Sequence, residues 1–111
     1  MIGIIKDCIG IGFQWKIETD IDVTEVKNIV DKLQELMTIT MEECGELIQE
    51  CSKAIRCDNY YDNTELLQEV SDVYCMLELM HEYDLISFND VDILMERKKE
   101  KLKKWSGLIE D

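Results

Sequence analysis

Proline is absent from this 111-residue chain, histidine occurs once, and basic residues are outnumbered by acidic ones, 12 to 25. Each shortage excludes something. Without proline, a kink cannot be told from a short break where helical period weakens. A lone histidine cannot supply the paired Glu-x-x-His motifs of a di-iron carboxylate bundle. The formal net charge of −13 argues against nucleic acid as a partner, because phosphate backbones need clustered Lys and Arg. It would also repel a free nucleotide, so any phosphate chemistry must work through bound cations. No run approaches 18 consecutive apolar residues, so no transmembrane helix is expected. The N-terminus lacks a basic region followed by an apolar core, so no secretory signal is read there. The five cysteines form an odd count with no CxxC spacing. Cys44 and Cys51 fall on an apolar helical stripe, which suits the free thiols of a cytosolic protein better than a disulfide or a zinc site.

What is present reads as an all-α domain. At 13.0 kDa it lies near the small end of independent stability, so a bundle of about four helices is expected to complete its core by homo-oligomerisation, as a dimer or higher. Residues 1–21 stand apart. The odd positions from Ile9 to Ile17 are all apolar, a strand period punctuated by Gly10 and Gly12, so an N-terminal arm or hairpin is expected. That arm covers a neighbouring subunit or bundle end, or offers Phe13 or Trp15 to a base. Residues 22–107 form the main domain. Asp22 and Glu25 make a capping box for a first helix, carried by Val26, Ile29, Val30, Leu33, Leu36 and Met37. The β-branched Thr38, Ile39 and Thr40 weaken the helix before a second one over 41–56. Residues 57–63 are turn chemistry. Asp62 and Glu65 then open a helix that runs to about Tyr83. Asn89 caps a last helix to about Trp105, and Gly107 suits its end.

Within this frame the acidic residues are placed periodically. At about 100° per residue, Cys44, Ile48, Cys51 and Ile55 share one stripe, expected to pack inward. Glu43, Glu46 and Glu50 form a band roughly 140° away. In the next helix Leu66, Val70, Val73, Leu77 and Met80 make the inward stripe. Glu65, Glu69 and Asp72 lie roughly 90° from it. Two helices packed by their apolar stripes can bring both carboxylate bands to the same side. Four or more carboxylates converging there repel, unless a hard divalent cation neutralises them.

The run Glu42-Glu43-Cys44-Gly45-Glu46, followed by Glu69-Val70-Ser71-Asp72, resembles the EExxE…ExxD signature of MazG-like nucleoside triphosphate pyrophosphohydrolases. The flanking Ile39-Thr40-Met41 and Ser52-Lys53-Ala54-Ile55-Arg56 are similar to small phage and bacterial members, and the likeness spans roughly residues 37–104. The resemblance implies an all-α enzyme using Mg²⁺, with Mn²⁺ as a substitute. Its ligand positions fall on Glu43, Glu46, Glu69 and Asp72. A water would attack the α-phosphorus of an NTP or dNTP, releasing pyrophosphate and the nucleoside monophosphate. Glu50 or Glu65 would support the ligands or serve as base. The implied location is cytoplasmic, the host cytoplasm for a phage-encoded chain. Lys53 stands where some members carry an aromatic residue, which puts base stacking from this helix in doubt.

Six of the twelve basic residues occupy 97–104. Lys98 falls within the apolar stripe of Val91, Leu94, Met95, Leu102 and Trp105. A lysine there either snorkels out or meets an anion. Lys98, with Lys101 or Arg97, is the candidate grip for substrate phosphates, and Lys98 joins the four carboxylates as a catalytic candidate. The competing reading is a non-enzymatic helical interaction module whose acidic face is merely solvated.

Overall fold

The computed structural model describes the backbone of residues 4–9, 12–17 and 23–110, and the side chains of residues 23–110. Three helices dominate: α1, Val23–Arg56; α2, Thr64–Glu82; and α3, Phe88–Trp105. Ahead of them the segments Ile4–Ile9 (β1) and Gly12–Ile17 (β2) run antiparallel, with Ile4 opposite Ile17. The expected cap at Asp22 and the contacts proposed for Phe13 and Trp15 lie outside the described side chains. No helix among the described residues is long and apolar enough to cross a membrane.

Where two helices were expected before residue 57, α1 runs unbroken for 34 residues, about 51 Å at 1.5 Å per residue. The β-branched stretch does not interrupt it. Thr38 Oγ1 donates to the Gln34 carbonyl at 2.8 Å and Thr40 Oγ1 to the Leu36 carbonyl at 2.7 Å, so both hydroxyls are satisfied inside the helix. With neither proline nor glycine between residues 23 and 44, nothing forces a break.

The chain divides into two compact units, residues 1–77 and 78–111. In the first, the buried apolar side chains are Leu33, Leu36 and Met76. The sheltered side of α1 is a ladder of alternating three- and four-residue steps: Val26, Ile29, Leu33, Leu36, Thr40, Glu43, Leu47, Glu50 and Ala54. Such spacing keeps one seam along a helix. On the part of α2 in this unit the matching ladder is Leu66, Glu69, Val73 and Met76. The expected inward stripe of α1 is therefore wrong for this chain: Ile48 is 69% and Ile55 84% exposed, Cys51 is exposed and Cys44 half-buried. The reason is a rotation of the sheltered face toward the acidic band, so that carboxylates occupy seam positions. Val70 and Leu77, also expected inside, are exposed as well.

The connection over 57–63 ends at Asp62, whose Oδ1 accepts from the Thr64 N–H at 3.0 Å and the Thr64 hydroxyl at 2.7 Å. These bonds hold the Asp62 carboxyl below its ordinary pKa. In the second unit α2 closes on a left-handed residue, Asp84, with φ 61°. The Leu85 N–H donates to the Met80 carbonyl and the Asp84 N–H to the His81 carbonyl, and Leu85 is buried. This pairing satisfies carbonyls that the last turn would leave open. Helix α3 starts at Phe88, with Ser87 rather than Asn89 at the cap, and the Ser87 hydroxyl makes no capping bond. Instead the Phe88 N–H donates to His81 Nδ1 at 3.3 Å, and the two rings stack at 4.2 Å and 8°. The helix ends on extended Ser106, whose N–H reaches the Leu102 carbonyl, so Gly107 does not form the cap. The expected apolar stripe of α3 is largely exposed, from Val91 at 37% to Trp105 at 69%.

Candidate metal centre

Glu43 and Glu46 sit on the second half of α1, Glu69 and Asp72 on α2, all in the first unit. One oxygen from each of these four carboxylates lies within 4.8 Å of the others. Glu43 and Glu69 take seam positions on their helices, so their side chains point where apolar ones stand elsewhere. Their Oε2 atoms are buried and have no hydrogen-bond partner. Buried carboxylate oxygens are ordinarily bonded, and an unpaired one carries the desolvation cost of a charged group. The arrangement raises the pKa of both groups. For Glu43 the main cause is burial, followed by the charges of Glu46 and Asp72. For Glu69 it is burial, then the hydrogen bond and charge of Glu46. Asp72 is steadied by Gln68, whose Nε2 donates to Oδ1 at 3.0 Å. Glu42, the remaining acid of the EExxE run, is exposed and stands outside the group.

This donor set fits a hard divalent cation. All four groups are carboxylates, the ligands that Mg²⁺, Mn²⁺ and Ca²⁺ select, and no thiolate or imidazole is among them. A cation would supply both the missing partners of the orphaned oxygens and the charge that relieves their repulsion.

Glu50 stands two steps beyond Glu43 along the seam, past Leu47, and is 4% exposed. Unlike Glu43 it is satisfied: the Tyr61 hydroxyl donates to Oε1 at 2.5 Å, and Lys53 Nζ lies 3.6 Å from Oε2. The Tyr61 bond outweighs burial and lowers the Glu50 pKa. The same bond pushes the Tyr61 hydroxyl up to about 12. Glu65 is largely exposed and reaches Lys53 at 3.5 Å. A groove of about 420 Å³ runs beside the carboxylates, lined by Glu46 and Glu69 together with Gln49, Glu50, Lys53 and Glu65.

The other sequence candidates fall elsewhere. Arg97, Lys98 and Lys101 are exposed residues of α3, in the second unit, and Lys98 Nζ lies 5.5 Å from the centroid of the Trp105 ring. Reading residues 57–63 only as turn chemistry passed over Tyr61, and Lys53 was read only as a missing aromatic. The signal that could have found both is the interruption of the α1 ladder by Glu50, since a seam carboxylate needs partners within reach. Compared with models of protein families, with curated proteins and with solved structures, the chain matches none.

Proposed function

We propose that this chain is a Mg²⁺-dependent nucleoside triphosphate pyrophosphohydrolase, cleaving an NTP or dNTP to the nucleoside monophosphate and pyrophosphate. The observation that carries the reading is the group Glu43, Glu46, Glu69 and Asp72, with two buried carboxylate oxygens lacking any partner. The EExxE…ExxD resemblance supports the reaction class. Glu43, Glu46, Glu69 and Asp72 would hold the metal, and Mn²⁺ would substitute for Mg²⁺. A cation held there would supply charge to offset the triphosphate and acidity to a water aimed at the α-phosphorus. The chain's own contribution is positional. Gln68 orients Asp72, while Tyr61 and Lys53 keep Glu50 ionised and occupied, which makes Glu50 a supporting group rather than a free base. Exposed Glu65, the other supporting carboxylate, pairs with Lys53 across the groove.

Self-association belongs to the same reading. Met41, Ile48 and Ile55 are seven residues apart on α1, and Leu67 and Tyr74 seven apart on α2, all at least 63% exposed. A second copy, in a dimer or larger homo-oligomer, would cover these stripes, and the N-terminal arm would extend that contact. The cysteine count and the substrate both suit the cytoplasm. An interaction module with a solvated acidic face would have no use for carboxylate oxygens buried without partners.

The test is a product screen across canonical and modified NTPs, with and without Mg²⁺. Release of pyrophosphate and monophosphate only with metal is expected, and its loss in Glu46→Gln,Asp72→Asn. Near-normal turnover by that double variant, or no pyrophosphate from any nucleotide, overturns the proposal.

A further inference from the structure

We propose that Lys53 is a substrate-binding residue, and that Glu65 is the counter-ion it leaves when a polyphosphate enters the groove. The inference rests on the reading above and adds the residue that receives the anion.

The groove shares Glu46 and Glu69 with the carboxylate group, so a ligand reaching that group lies along it. Its volume, about 420 Å³, is within the range of small-molecule sites. Lys53 is the one cation among its lining residues, against four carboxylates. An anion in this groove therefore has a single protein charge to pair with.

The two partners of Lys53 are unequal. Glu50, with a side chain only 5% exposed, is fixed by Tyr61 and lies 3.6 Å from the ammonium. Glu65, 70% exposed, lies at 3.5 Å. Both separations exceed the ~2.7–2.9 Å of a short charge-assisted N–H···O bond, so the ammonium is held loosely, mainly by charge. The Glu50 side keeps Lys53 at the groove wall. The Glu65 side gives way, because an exposed pair is weak and its carboxylate returns to water. A phosphate oxygen repays the lost pair with formal negative charge, whereas a base carbonyl does not. The chain carries Tyr61, Glu50, Lys53 and Glu65 as one connected set, from the 57–63 connection through α1 to α2. The α3 lysines Lys99 and Lys103, by contrast, are paired with Glu96 and Glu100 of their own helix.

The experiment is isothermal titration of the full chain, in Mg²⁺, with inorganic triphosphate and with a deoxynucleoside α,β-imidotriphosphate that resists cleavage. Lys53→Met should weaken both ligands roughly ten- to a hundredfold. Lys53→Arg should restore most of that loss, and Glu65→Gln should tighten both by a few-fold. Mg²⁺ affinity alone should not move, which a merely structural loss would not allow. Unchanged affinities in Lys53→Met overturn the assignment while leaving hydrolysis by the native chain intact, and a loss in Lys98→Met instead would name the residue that takes its place. Weakening confined to the nucleotide analogue places Lys53 on the base or sugar and overturns the phosphate contact. No effect of Glu65→Gln overturns the counter-ion role. Lys53-dependent triphosphate binding without turnover of any nucleotide supports this inference and sinks the hydrolase reading. A native chain that binds neither ligand overturns both.

Discussion

If the exposed stripe of α1 is where copies meet, replacing Ile48 by Gln should split the oligomer without unfolding the helix. Gln is close to the best residues for helix formation, so the change removes apolar contact and little else. Ile48 is 69% exposed in the single chain. Full burial of such a side chain is worth about 1.5–3 kcal/mol, so covering the exposed part contributes about 1–2 kcal/mol per copy. In a twofold interface the same residue is used twice, giving about 2–4 kcal/mol per dimer and a dissociation constant raised about 30- to 700-fold. Ile55, 84% exposed and two turns along, should behave alike. Sedimentation equilibrium over a concentration series of the native chain and both variants reads the effect directly, with circular dichroism confirming helicity. A native chain that stays monomeric throughout the micromolar range refutes the reasoning. So do variants that dissociate no more readily than the native chain.

Two further predictions concern the metal. At a Mg²⁺ concentration about 100 times its Kd, binding to the folded form alone adds about 2.7 kcal/mol, a rise in Tm of roughly 10–20 °C for a chain of this size. Scanning calorimetry should show that rise lost in Glu46→Gln,Asp72→Asn, and an equal rise in the variant would contradict the ligand assignment. Without metal, Glu43 and Glu69 bind protons more tightly folded than unfolded, since their pKa values are raised. Their contribution is therefore most favourable below the unfolded value of about 4.3 and is lost as pH rises through the raised folded values. Glu50 and Asp62, whose pKa values are lowered, contribute stability at higher pH that is lost as pH falls through their folded values. Urea midpoints of the native chain compared with Glu43→Gln,Glu69→Gln isolate the first pair: the double variant should gain on the native chain as pH rises, and Mg²⁺ should remove the difference. A constant gap from pH 4 to 8 would show that the two groups do not titrate as described.

Much of the architecture was legible before any coordinates, because it is written in local chemistry. The turn at 57–63, the start near Asp62 and the end at Trp105 follow from residues that compete with or complete a helix. Period alone set Glu43, Glu46 and Glu50 beside Glu65, Glu69 and Asp72, and the resemblance singled out the four of them that the structure gathers. The rotation of α1 was not legible. Hydrophobic patterning assigns the richest apolar stripe to the inside, and Cys44, Ile48, Cys51 and Ile55 are richer than a ladder holding Glu43 and Glu50. That rule ranks stripes by apolar content alone, yet Ile48, Cys51 and Ile55 are exposed here. It also counts a carboxylate as outward-facing, which fails where a tyrosine hydroxyl meets it, as Tyr61 meets Glu50. The unbroken run through Thr38 and Thr40 escaped notice for a smaller reason. Propensity penalises β-branched residues, while the back-bonds of their hydroxyls appear only once the helix exists.

The contact between His81 and Phe88 has a practical consequence for following this molecule in solution. His81 is the sole histidine of the chain, so its ring protons give one pair of resonances that needs no assignment. They sense a neighbour stacked at 4.2 Å, whose ring current displaces them from free-imidazole positions. The Nδ1 atom accepts the Phe88 N–H, which fixes the proton of the neutral ring on Nε2. The junction between the end of α2 and the start of α3 thus carries its own spectroscopic label. Any ligand or metal that opens the junction should return those two lines to the positions of an unstacked imidazole.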